Sequence, residues 1–130
     1  MDNELLNEDN IGAVRVADEV VSVIAGLAAT DIEGIAGMSG GLVGGIAEML
    51  GRKNLSKGVK VEVGEREAAV DLYIIVKFGV RIPEVALNVQ ERVKEAIEQM
   101  TGLKVVEVNV HVQGVAMDEP EKKEDDIRVR

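Results

Sequence analysis

Ser39, Asp71 and His111 follow one another in the chain order of a hydrolase triad, and Ser39 lies within Gly37-Met-Ser-Gly-Gly41, a match to the G-x-S-x-G nucleophile elbow. An elbow needs a strand, a strained turn and a helix on a large α/β sheet, so that the serine stands exposed above the strand ends. At 130 residues the chain is too short for that architecture, and with 14 glycines the pattern arises readily from composition alone. A second pattern, Gly41-Leu-Val-Gly44, has the spacing of a backbone-clamping G-x-x-G loop but carries no basic residue between its glycines. A third, Gly51-Arg-Lys-Asn54, lacks the Gly-Lys-Ser/Thr of a phosphate-binding loop and the hydroxyl that would hold magnesium. Conformational freedom explains these glycines better than phosphate chemistry.

His111 is the single histidine, on a segment whose alternation places it on the polar side of a strand. Alone it cannot build a histidine-rich metal centre, and Glu107 and Asp71 stand at no recognisable ligand spacing. The paired acids Asp18/Glu19, Glu65/Glu67 and Asp125/Asp126 read as a helix end, a hairpin tip and a solvated tail. None sits where burial would raise a carboxyl pKa, as general-acid work requires. The residues therefore point to no catalytic centre, no cofactor and no metal.

Composition narrows the partners. The formal net charge of −9 repels polyanions, and the densest basic cluster, Arg52, Lys53, Lys57 and Lys60, is bracketed by Glu48 and Glu62. Nucleic acid and direct binding to an anionic membrane are both disfavoured. Aromatic content is 2%, leaving only Tyr73 and Phe78 for stacking on bases, sugars or quaternary amines. With no cysteine there is neither a disulfide framework nor thiolate chemistry. The acidic start, Met1-Asp-Asn-Glu-Leu-Leu-Asn-Glu-Asp-Asn10, is no secretory signal, and no apolar run approaches the ~20 residues that span a bilayer. The expectation is a cytoplasmic protein without direct membrane insertion.

The elements that must position these groups follow from periodicity. Residues 1–10 read as a mobile acidic tail, 11–117 as a single domain and 118–130 as a charged tail. Within the domain, residues 11–16 read as a short strand. A helix follows, with Asp18 and Glu19 in its first turn and Val20, Ile24, Leu27 and Ala28 as its buried stripe. Residues 34–58, dense in glycine, read as a long insertion, partly ordered at best. Val59-Lys-Val-Glu-Val63 alternates as a half-buried strand, and Gly64-Glu-Arg-Glu67 forms the hairpin loop.

The next strand puts Val70, Leu72, Ile74, Val76 and Phe78 on one face and Asp71, Tyr73, Ile75 and Lys77 on the other. Pro83 opens a second helix, buried through Val85, Val89, Val93, Ala96, Ile97 and Met100 and stopped by Gly102. On its outer face Lys94 has Glu91 and Glu98 at solvated charge-pair spacing. The last strand is expected to bury Val106, Val108, Val110 and Val112 and to expose Glu107, Asn109, His111 and Gln113. The order β-α-β-β-α-β predicts an α+β two-layer sandwich, a mostly antiparallel sheet with both helices on one face.

These segments, in this order, resemble the alkaline-shock-protein family of Gls-type cell-envelope stress proteins. The resemblance is carried by Gly12-Ala-Val-Arg-Val-Ala-Asp-Glu-Val-Val21, Gly58-Val-Lys-Val-Glu-Val63, Val70-Asp-Leu-Tyr-Ile-Ile-Val76 and Val106-Glu-Val-Asn-Val-His-Val-Gln-Gly-Val115. It implies a non-enzymatic cytoplasmic protein linked to envelope homeostasis and alkaline or general stress. It further implies self-association and a membrane-anchored protein partner, itself a relative, with no catalytic residues to carry over. Leu42, Val43, Ile46 and Leu50, apolar residues among the glycines, are candidate docking side chains for that partner; the open sheet face around Tyr73, Ile75 and His111, or an unpaired sheet edge, is the competing surface for self-association. The alternative is a small-molecule module taking an acyl chain or phosphate beside the glycine-rich loop.

Overall fold

The computed structural model describes residues 11–40 and 57–117. The expected tails at 1–10 and 118–130, and residues 41–56 of the expected insertion, lie outside the described residues. The elements run α1 (Asp18–Thr30), β1 (Ile35–Met38), β2 (Val59–Val63), β3 (Glu67–Lys77), α2 (Ile82–Thr101) and β4 (Lys104–Ala116). The class is the expected α+β sandwich, with two helices on one face of a four-stranded sheet.

β3 is the hub. β2 pairs antiparallel with its first half (Val59↔Leu72 to Val63↔Ala68), and β1 pairs antiparallel with its second half (Ile35↔Val76 to Met38↔Ile74). The two short strands thus share one edge of β3, end to end. They meet at Tyr73, whose N–H donates to the Gly58 carbonyl (2.8 Å) and whose carbonyl accepts from the Ser39 N–H (2.7 Å). Gly58 has φ +78°, and a Cβ there would lie 2.6 Å from the Ser39 carbonyl oxygen and 2.9 Å from that of Tyr73, so only glycine closes this junction. β4 lies along the other edge of β3, in parallel, which requires the crossover that α2 supplies.

The core lies between sheet and helices. Val70, Leu72, Ile74 and Val76 of β3 are all but fully buried against Val21, Ala25 and Ala29 of α1 and Val89, Val93 and Ile97 of α2. α1 starts without a side-chain cap, and Asp18 and Glu19 offset its positive end instead. α2 ends where Gly102 adopts φ 81° and its N–H reaches the Glu98 carbonyl.

Several expectations change. Residues 11–16 form no strand, and Ile11 and Val14 are exposed; the strand position is taken by Ile35–Met38, inside the stretch expected to be an insertion. In α1 it is Val21, Ile24, Ala25, Ala28 and Ala29 that face the core, while Val20 and Leu27 stay half exposed. The helix is apolar nearly all round, so periodicity alone does not select a face, and the small residues let it approach the sheet closely. Phe78 is exposed because β3 ends at Lys77 and the chain turns through Gly79. Met100 is exposed because the four-residue spacing from Val85 through Ile97 continues to half-buried Thr101.

In β4 the register slips by one residue after Ala68, so Val105 takes the core position and Val106 is half exposed. Such an extra residue is a β-bulge, which reverses the facing of every side chain beyond it. A second slip opposite Ile74/Ile75 sets Gly114, rather than Gln113, beside Ile75.

Candidate functional surface

The open face of the sheet is built by direct cross-strand neighbours. Register sets Asp71 beside Asn109 and Lys60, and Tyr73 beside His111. The Asn109 amide donates to Asp71 Oδ1 (3.0 Å) and to Glu107 Oε2 (2.8 Å), bridging two carboxylates that would otherwise repel. His111 Nε2 lies 3.1 Å from Asp71 Oδ1. An ionised carboxylate only accepts, so Nε2 carries the proton. The His111 ring stacks on Tyr73, with centroids 4.5 Å apart and planes 11° from parallel, and the Lys60 ammonium stands 5.6 Å from the Tyr73 centroid. The hydrogen bond from His111, and then that from Asn109, hold the Asp71 carboxyl below the ordinary aspartate range.

Two members of the hydrolase order, Asp71 and His111, thus come together and the third does not. Ser39 follows β1 on the opposite edge of β3, about 10 Å from β4 by strand spacing. The Asp–His pair therefore stands without the serine that the hydrolase order would require. Asp71 and Glu107 are spanned by the Asn109 amide, and no metal-binding group of acids and histidine occurs among the described residues. Of the sequence candidates, Tyr73 and Ile75 lie half buried on this face, and Ile75 lies over Gly114. Leu42, Val43, Ile46 and Leu50, with the ligand site suggested beside the glycine-rich loop, lie outside the described residues.

Two further features went unrecognised in the sequence. On the helix face, Val20, Val23 and Leu27 of α1 and Met100 of α2 line an apolar groove rimmed by Glu19, Asp31 and Arg92. Its signal was the surplus of apolar residues in α1. The other is a clamp between α2 and β4. Glu98 accepts the Val105 N–H (2.9 Å) and pairs with Lys94 (3.0 Å), while Lys94 also donates to the Val105 carbonyl (3.1 Å). The Val105 N–H, and then Lys94, hold the Glu98 carboxyl below the ordinary glutamate range. Gln90 donates to the Val108 carbonyl (2.9 Å).

The chain is similar to known proteins over nearly all of these residues. A family model described as "ASP23 family, cell envelope-related function" matches residues 6–117. The uncharacterized protein YqhY of Bacillus subtilis is 41% identical over 121 residues, covering 90% of each chain. YloU of the same organism, likewise uncharacterized, is 41% identical over 84% of this chain and 92% of its own. A protein of Streptococcus pyogenes named stress response regulator gls24 homolog is 34% identical, over 78% of this chain and 57% of its own. No helix among the described residues is long and apolar enough to cross a membrane.

Proposed function

Because this chain belongs to the alkaline-shock-protein (ASP23) family, whose function is cell envelope-related, we propose that it is a non-enzymatic scaffold of the envelope stress response. It works in the cytoplasm by self-association and by docking to a membrane-anchored protein partner. The observation that carries this reading is the apolar groove of Val20, Val23, Leu27 and Met100, three of which are exposed at 46%, 50% and 71% (Val20, Leu27, Met100). Exposed apolar surface rimmed by charged residues is a common form of contact surface. The name of the streptococcal relative, a stress response regulator, supports the same direction.

The test is capture from detergent-solubilised membranes, with partners identified by cross-linking. Leu42→Asp with Ile46→Asp is expected to abolish capture while thermal unfolding stays cooperative; undiminished capture removes the glycine-rich segment as the docking site. Leu27→Lys with Met100→Lys examines the groove in the same way, and Ile75→Ser the sheet face. A wild-type chain that cross-links to no membrane protein refutes the partner half of the proposal.

A further inference from the structure

The two edges of the sheet are treated differently. On one side β1 and β2 are short, with 4 and 5 residues, and β2 carries Lys60 and Glu62, the charges that natural edge strands use against unwanted pairing. On the other side β4 runs for 13 residues with no strand beyond it among the described residues. Its first half is closed by α2: Glu98 and Lys94 hold the N–H and carbonyl of Val105, and Gln90 holds the carbonyl of Val108.

Beyond Val108 that protection stops. Val108 turns its carbonyl away from β3, and the register is unbroken from Glu107 to Val112, so the backbone groups of Val110 and Val112 turn outward too. The stretch Val108-Asn-Val-His-Val-Gln-Gly-Val-Ala116 contains no charged residue and no proline, in a chain that is 30% charged. One helical turn before Gln90, on the same side of α2, stands Leu87, half exposed where a charged or amide side chain would have extended the clamp.

We infer that the second half of β4, from Val108 to Ala116, with Leu87 above it, is the surface on which two copies of this chain join. The copies pair β4 antiparallel about a twofold, making one continuous sheet with α2 of each copy side by side. The second copy is the occupant that the local charge favours. Two chains of net charge −9 repel overall, and this edge is a place where strands meet with no like charges opposed. The inference rests on the self-association reading above and adds its surface.

Light scattering after size exclusion, on the full chain from micromolar to near-millimolar concentration, tests it. Wild type is expected at twice the 13.9 kDa chain mass. Leu87→Lys with Gln113→Lys, two exposed positions that bring like charges across the twofold, is expected at the monomer mass, with cooperative thermal unfolding whose midpoint no longer depends on concentration. Leu27→Lys with Met100→Lys, equal in charge but on the groove, is expected to stay dimeric. A dimer that survives the edge variant overturns this surface and leaves self-association standing. A wild-type monomer at every concentration overturns both. Amide exchange in the wild type covers the case of a variant that fails to fold. Protection at Val110 and Val112 that grows with concentration supports the edge. Protection independent of concentration assigns the edge to the chain's own residues and overturns the inference.

Discussion

Gly58→Ala puts the hub of the sheet to a direct test. The added methyl would sit 2.6 Å from the Ser39 carbonyl oxygen, 2.9 Å from that of Tyr73 and 3.1 Å from Met38 Cβ, on a backbone held at φ +78°. Two of these neighbours are main-chain atoms tied into the junction through the 2.7 Å and 2.8 Å bonds to Tyr73, so neither can swing aside as a side chain would. Holding an L-residue in the left-handed region costs about 1–2 kcal/mol, and forcing an extra methyl into a packed site a further ~1–3 kcal/mol. The sum, about 2–5 kcal/mol, is a large share of the ~5–15 kcal/mol that stabilises an ordinary domain. Urea unfolding followed by far-ultraviolet circular dichroism measures it, and the melting temperature should fall by about 8–20 °C. Gly64→Ala is the control, since its Cβ would meet only the Glu67 carbonyl at an ordinary 3.6 Å. Its stability should hold or rise, by up to about 1 kcal/mol. A Gly58→Ala protein within ~0.5 kcal/mol of wild type would refute the claim that the two strands close against Tyr73 through a glycine.

Other perturbations have equally definite outcomes. Glu98→Ala leaves the Val105 N–H without its acceptor and should cost about 1 kcal/mol in urea unfolding; an unchanged midpoint would sink the assignment. Asp71, held below its ordinary value of 3.8, binds fewer protons folded than unfolded, so its contribution is present above that value and is lost as pH falls through the lower, folded one. Between about pH 5 and 2, Asp71→Asn should therefore lose less stability than wild type, and parallel acid curves would contradict the hydrogen bond from His111. Tyr73 is the only tyrosine in a chain without tryptophan, so the intrinsic emission reports on the His111 ring stacked against it. His111→Gln should change the Tyr73 emission at constant pH while far-ultraviolet circular dichroism stays the same; identical emission spectra would mean the rings do not stack in solution.

The parts of the fold that were legible are those where one period dominates. β2, β3 and α2 alternate or stripe without ambiguity, and the residues they bury are largely the expected ones. α1 offered two apolar faces, and the choice between Val20 and Val21 was made by how closely a helix of small residues can approach the sheet. β1 was hidden because Ile35-Ala-Gly-Met38 is four residues long, contains a glycine and sits in a glycine-rich stretch. In β4 the run of valines announced a strand, but only pairing with β3 reveals the bulge that exchanges Val105 for Val106. Membership of the open face was readable for Asp71, Tyr73, Asn109 and His111. Which of them touch was not, because that depends on a parallel register set through a crossover helix. Glu98 read as one half of a surface pair; its other partner, the Val105 N–H, belongs to a strand beyond the helix end.

The end-to-end sharing of one β3 edge has a consequence for how this domain can be altered. Ser39 and Gly58 hydrogen-bond to the same residue, so whatever joins them begins and ends at one point of the sheet. The free energy of closing a loop between fixed, adjacent ends grows only logarithmically, by about 0.6 kcal/mol for each doubling of its length. A change in the number of residues that join Ser39 to Gly58 therefore leaves both ends of the connection where they are, provided Gly58 is kept. The junction works as a socket, in which one residue of β3 fixes where a connection leaves the sheet and where it returns.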